Sequence, residues 1–117
     1  MNILLVDDHP ITVEGFMNAL LQLNFTQKKA VFSKVHNCKD GYNAILNASE
    51  TFHPFDLAII DQSLPSYPEQ SIASGSDLAL LIRKQMPDCK IIIVTAHTEV
   101  VIVYEIAKNI RPDGLII

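Results

Sequence analysis

The sequence predicts an α/β domain built on a parallel β-sheet with helices on both faces. Three observations carry that expectation. The apolar runs Ile3-Leu4-Leu5-Val6, Leu57-Ala58-Ile59-Ile60 and Ile91-Ile92-Ile93-Val94 are nearly continuous, as strands buried on both faces are. Segments with helical apolar spacing separate them. The two patterns alternate along the chain, which implies right-handed crossovers between parallel strands.

The elements follow in order. The first strand is the run from Ile3 to Val6. A helix is expected from Pro10 to Leu23, with apolar residues at Ile11, Val13, Phe16, Met17, Leu20 and Leu21; proline suits a first helical turn. Residues 30–36 form a weaker strand candidate, and residues 39–52 a second helix. The run Leu57 to Ile60 is the third strand. Residues 62–74, with Pro65 and Pro68, read as the one long loop. A third helix spans residues 76–85, with Leu78, Leu81 and Ile82 on one face and Pro87 closing it. After the fourth strand, Thr98 is placed to cap a fourth helix running to about Asn109. Residues 114–117 make the last strand. Residues 100–106 are apolar on most sides, so one stripe covers the sheet and the other reads as a contact surface.

The chain has 117 residues, 49% of them apolar and 19% charged, with a net charge of −4. That suits a single globular domain over residues 1–117. A basic nucleic-acid footprint is absent, and nothing favours an anionic membrane surface. No apolar run approaches the roughly 20 residues of a bilayer span, and the N-terminus lacks the basic start of a signal peptide. A cytoplasmic protein is expected, with Cys38 and Cys89 as reduced structural thiols outside any metal-ligand spacing.

The chemistry sits at strand ends. Asp7 and Asp8 follow the first strand, Asp61 the third and Thr95 the fourth. In open α/β sheets ligands bind outside the carboxyl ends of the strands, so these groups are expected at one edge. Three carboxylates close together repel and raise one another's pKa. A hard divalent cation offsets the repulsion, and Mg²⁺ favours carboxylate and phosphate oxygens together with water. A carboxylate beside such a metal is then a candidate nucleophile toward phosphorus.

These residues resemble the receiver domains of two-component response regulators, over nearly the whole chain. Asp7-Asp8 is similar to the family's acidic pair, Asp61-Gln62-Ser63-Leu64-Pro65 to its phosphoacceptor motif, and Thr95-Ala96 to its hydroxyl-alanine pair. Gly114 and the apolar residues after it resemble the start of the last strand. Asp7-Asp8-His9-Pro10 followed by Glu14-Gly15 looks like the subfamily whose output is a C-terminal helix-turn-helix. The resemblance implies a five-stranded, flavodoxin-like order 2-1-3-4-5. It implies that Asp61 accepts the phosphoryl group from a histidine kinase. Asp8, Asp61 and the Ser63 carbonyl would ligate Mg²⁺ directly, and Asp7 through water. Thr95 would bond the phosphoryl group and shift toward it. The chain would be a signalling switch that assists its own chemistry, not an enzyme in the ordinary sense.

Some features depart from the family pattern. If Gly75 is the family's glycine before the third helix, residues 66–74 contain an insertion beside Asp61. Leu115 stands where many receivers carry an aromatic switch residue. His97 and Ser63 flank the site, His9 borders it, and His36 and His53 have no evident partners. The family's lysine would fall just past Ile117, so a truncated domain lacking the last helix is expected, with a possible homodimer through the fourth helix and last strand. A receiver-like interaction module working without phosphorylation is the alternative function. Dehalogenase-type phosphatases are disfavoured because Asp7 and Asp8 are adjacent. A flavodoxin is disfavoured because that pair would repel a bare flavin phosphate.

Overall fold

The structure, a computed structural model, describes residues 1–23, 29–95 and 111–116. They form the strands β1 (Asn2–Val6), β2 (Val31–Val35), β3 (Leu57–Asp61), β4 (Lys90–Val94) and β5 (Gly114–Ile116). Between them lie the helices α1 (Pro10–Leu23), α2 (Cys38–Glu50) and α3 (Gly75–Gln85), and a 3-10 turn at Pro68–Gln70. All strand pairs are parallel, in the order β2-β1-β3-β4-β5. This is the expected doubly wound, flavodoxin-like sheet. The fourth helix expected over residues 98–109, its apolar contact surface, His97 and Ile117 lie outside the described residues.

The apolar runs form strands because each buries both faces. On one face Ile3, Leu5 and Ile59 pack with Val13 of α1. On the other, Leu4, Val6, Ala58, Ile60, Ile91 and Ile93 pack with Cys38, Ile45, Leu78 and Ile82 of α2 and α3. Alternation along β1 therefore feeds two cores from one strand. Leu115 of β5 is half-buried against the second of them.

Local chemistry sets the helix ends. Asn37 caps α2, its Oδ1 accepting from the Asp40 N–H at 2.7 Å. This starts the helix one residue before the expected position. α3 likewise starts one residue early, at Gly75.

The long loop is packed down, which its composition did not suggest. Tyr67 and Ile72 exchange backbone hydrogen bonds across the 3-10 turn, at 2.7 and 3.1 Å. Ile72 is buried in the α2–α3 core. The Tyr67 ring meets Tyr42 of α2 edge-on at 5.7 Å, and Tyr42 Oη donates to Gln70 Oε1 at 3.2 Å. An aromatic contact and one inserted isoleucine thus hold the segment on α2. Among the described residues no helix is long and apolar enough to cross a membrane.

Candidate functional site

Strand register assembles the site. Val6 of β1 pairs with Ile60 of β3, and Asp61 pairs with Val94 of β4. Asp7 lies one residue past Val6 and Thr95 one past Val94, so both meet Asp61 at the carboxyl edge of adjacent strands. One ligand atom from each of Asp7, Asp8, His9 and Asp61 lies within 4.8 Å of the others.

Asp7 is buried, at 5% exposure. Its backbone N–H donates to Val35 O at 3.2 Å, and its carbonyl accepts from His36 Nδ1 at 2.8 Å. The end of β2 therefore clamps Asp7 on both sides of its peptide. Its Oδ1 accepts from the His9 N–H at 2.8 Å. The His9 ring lies over the pair, Nδ1 standing 3.0 Å from Asp7 Oδ1 and 3.1 Å from Asp8 Oδ1. The hydrogen bond to Asp7, then the Asp8 and Asp7 charges, hold the imidazole above its ordinary pKa.

Asp61 is half-buried at the end of β3. Burial pushes its carboxyl above the usual carboxylate range. The Ser63 N–H, donating to Oδ1 at 3.2 Å, opposes that, and the Asp7 and Asp8 charges push it further up. This clustered negative charge is what a cation relieves. The donors that fit are hard oxygens on rigid strand ends, the set Mg²⁺ prefers. Thr95 is buried at 2% exposure, and its N–H donates to Ile116 O at 2.8 Å, so β5 fixes the position of this residue.

The segment after Asp61 is tied to its surroundings. Gln62 N–H donates to Val94 O at 2.8 Å, and Gln62 O accepts from the Gly75 N–H at 3.0 Å. A hollow beside the acidic pair is lined by Asp8, Gln62, Ser63, Leu64, Pro65, Ala73 and Ser74. Apart from Asp8, its walls are the two ends of the long loop over residues 62–74.

The structure thus brings Asp7, Asp8 and Asp61 together, with Ser63 bonded to Asp61 and Thr95 on the neighbouring strand end. It also gives partners to residues that sequence reasoning left without them. His36 bonds the Asp7 carbonyl, and His9 bridges both acidic side chains instead of only bordering them. Adjacency to Asp7 and Asp8 was a usable signal for His9. His36 had none, because its contact depends on the parallel pairing of β1 with β2.

Residues 3–112 match the model of the response regulator receiver domain. The chain belongs to that family. Solved structures of similar fold include RcsB from Salmonella enterica serovar Typhimurium, bound to promoter rprA in the presence of the phosphomimetic BeF3⁻. It is 22% identical with a TM-score of 0.73, and the match covers 99% of this chain and 58% of that one. The isolated receiver domain of RcsB, with the same phosphomimetic, is also 22% identical with a TM-score of 0.73, covering 100% of this chain and 76% of that one. The receiver domain of the putative response regulator NarL from Mycobacterium tuberculosis is 23% identical with a TM-score of 0.69, covering 98% and 81%. At these identities the likeness establishes the receiver fold. This chain spans little more than half the length of the DNA-bound RcsB chain.

Proposed function

We propose that this receiver domain is a phosphoacceptor switch in which Asp61 takes a phosphoryl group from the phosphohistidine of a histidine kinase. The observation that carries the reading is the meeting of Asp7, Asp8 and Asp61 within 4.8 Å at one sheet edge. A carboxylate oxygen of Asp61 attacks phosphorus. The phosphorus–nitrogen bond to the donor imidazole breaks, and an acyl phosphate forms on Asp61. Asp8, Asp61 and the Ser63 carbonyl are the proposed direct holders of Mg²⁺, with Asp7 acting through water. Bound there, the ion would neutralise charge between nucleophile and phosphoryl group.

The protein's own part is mostly positioning. The Ser63 N–H holds one Asp61 oxygen, which leaves the other to react. Thr95, fixed by β5, is the proposed hydroxyl partner of the phosphoryl oxygens, biasing a two-state equilibrium. The switch would act in the cytoplasm on an output domain or partner protein and would itself touch neither DNA nor membrane.

Intact-mass spectrometry after incubation with acetyl phosphate and Mg²⁺ tests this reading. One phosphoryl group is expected, absent without Mg²⁺ and absent in Asp61→Asn. An unmodified wild-type spectrum from folded protein overturns it.

A further inference from the structure

Gln62 is held at three atoms, one by β4 and two by the first turn of α3. Its N–H donates to Val94 O of β4. Its carbonyl accepts from the Gly75 N–H, the first residue of α3. Its side-chain Oε1 accepts from Ser76 Oγ in a short hydrogen bond. The residues flanking Gln62 are Asp61 and Ser63, which are themselves bonded to each other. α3 also touches this peptide directly, since a Cβ added at Gly75 would sit 2.0 Å from Asp61 O. The first turn of α3 and the Asp61-Gln62-Ser63 segment are therefore one rigid unit. Among the contacts named here between α3 and that segment, the one made by two side chains is Ser76 to Gln62.

We propose that Gln62 and Ser76 form a positioning latch that sets the rate of phosphoryl uptake by Asp61. The inference rests on the reading of Asp61 as phosphoacceptor and adds a device outside the acidic cluster. Neither latch residue belongs to that cluster of possible ligand groups. The latch works by holding the peptide on which both Asp61 and the Ser63 carbonyl depend. If the side-chain bond is lost, that peptide gains freedom, and the aligned state is populated for a smaller fraction of the time. A network of this kind predicts coupled effects, because either partner alone breaks the same bond.

The test uses Ser76→Ala, Ser76→Thr, Gln62→Met and the double variant Gln62→Met/Ser76→Ala. Uptake of acetyl phosphate is followed by intact mass across an Mg²⁺ series, beside thermal unfolding of each variant. Alanine suits a helix at least as well as serine, so Ser76→Ala should unfold close to the wild-type temperature. Its uptake should be slower by about 2- to 10-fold, the range one lost hydrogen bond permits. Ser76→Thr restores the hydroxyl and should restore the rate. Gln62→Met should match Ser76→Ala, and the double variant should be no slower than either.

Wild-type rates in both single variants overturn the latch while leaving the phosphoacceptor reading intact. So does slowing in Ser76→Thr equal to that in Ser76→Ala, or losses that add in the double variant. Losses that only track the fraction unfolded overturn it too. A wild type that takes up no phosphoryl group removes both readings.

Discussion

Gly75 lies against the backbone of Asp61 so closely that a Cβ there would sit 2.0 Å from the Asp61 carbonyl oxygen and 2.9 Å from Ile60 Cγ2. The obstacle is main chain at the end of a central strand, which has no way to yield. Gly75→Ala should therefore push α3 off β3. A destabilisation of about 1–3 kcal/mol is expected, as for other overpacked sites, read as a lower urea midpoint. Slower phosphoryl uptake should accompany it, because the displaced backbone carries Asp61, the proposed acceptor. An unchanged midpoint would show that this contact relaxes freely.

Asp61→Asn should do more than abolish modification. In the folded chain, burial first, then Asp7 and Asp8, hold this carboxyl above the usual range. The folded protein thus keeps the proton to a higher pH than the unfolded chain does. Stability falls as pH rises from the unfolded pKa through the folded one, and the penalty is fully present at neutral pH. Asparagine carries no such charge. Without metal, the variant should melt higher than wild type at pH 7. The gap should close at about pH 3, below the unfolded aspartate value. Mg²⁺ should raise the wild-type midpoint and narrow the neutral-pH gap. A variant that melts lower than wild type at pH 7 without metal would contradict this electrostatic account.

The acidic pair should divide its work. Asp8 is the more open of the two carboxylates, whereas Asp7 is buried and already accepts from His9. Asp8→Ala should weaken Mg²⁺ binding more than Asp7→Ala. A loss of about 10-fold is expected for Asp7→Ala, the lower end for an outer partner, and a larger one for Asp8→Ala. Calorimetric titration of both variants decides, and equal losses would refute the division.

The parallel strands and the acidic cluster at their ends were legible because they depend on simple periodicities, whereas the strand order 2-1-3-4-5 came from the family resemblance alone. Continuous aliphatic runs at Ile3, Leu57 and Ile91 imply strands buried on both faces, and residues just past them must gather at one edge. The remaining features arise from contacts between segments distant in sequence. Nothing near His36 announces that its ring reaches the Asp7 carbonyl. The long loop over residues 62–74 read as polar and Pro-rich, yet Ile72 enters the core and Tyr67 meets Tyr42, 25 positions earlier in the chain. The starts of α2 and α3 each fall one residue ahead of the expected position, because a helix end is set by local backbone geometry that apolar spacing does not encode.

At the β5 edge of the sheet, Asp113 and Arg83 clasp two strands together. Asp113 Oδ2 accepts from the Ile91 N–H at 2.8 Å and from Arg83 Nη2 at 3.3 Å. Arg83 also donates to Arg111 O at 2.9 Å and to Cys89 O at 3.3 Å. One arginine of α3 thus fastens the entry of β5 to the entry of β4. The Ile91 N–H, then the Arg83 charge, hold the Asp113 carboxyl below its ordinary range. A depressed folded pKa means that the stabilisation is complete above the unfolded pKa, about 3.9. It is lost as pH falls through the lower folded value. Asp113→Ala should cost about 1–2 kcal/mol at pH 7, toward the low end for a charged hydrogen bond because the group is solvated. The difference from wild type should shrink when urea unfolding is repeated at acid pH. Because β5 carries the carbonyl of Ile116 that fixes Thr95, the variant should also loosen Thr95. The chemical shift of the Thr95 amide should then move while that of Ser33, on the opposite edge strand β2, holds still. A constant penalty across pH, or a Thr95 signal that does not respond, would show that the clasp neither titrates nor reaches the site.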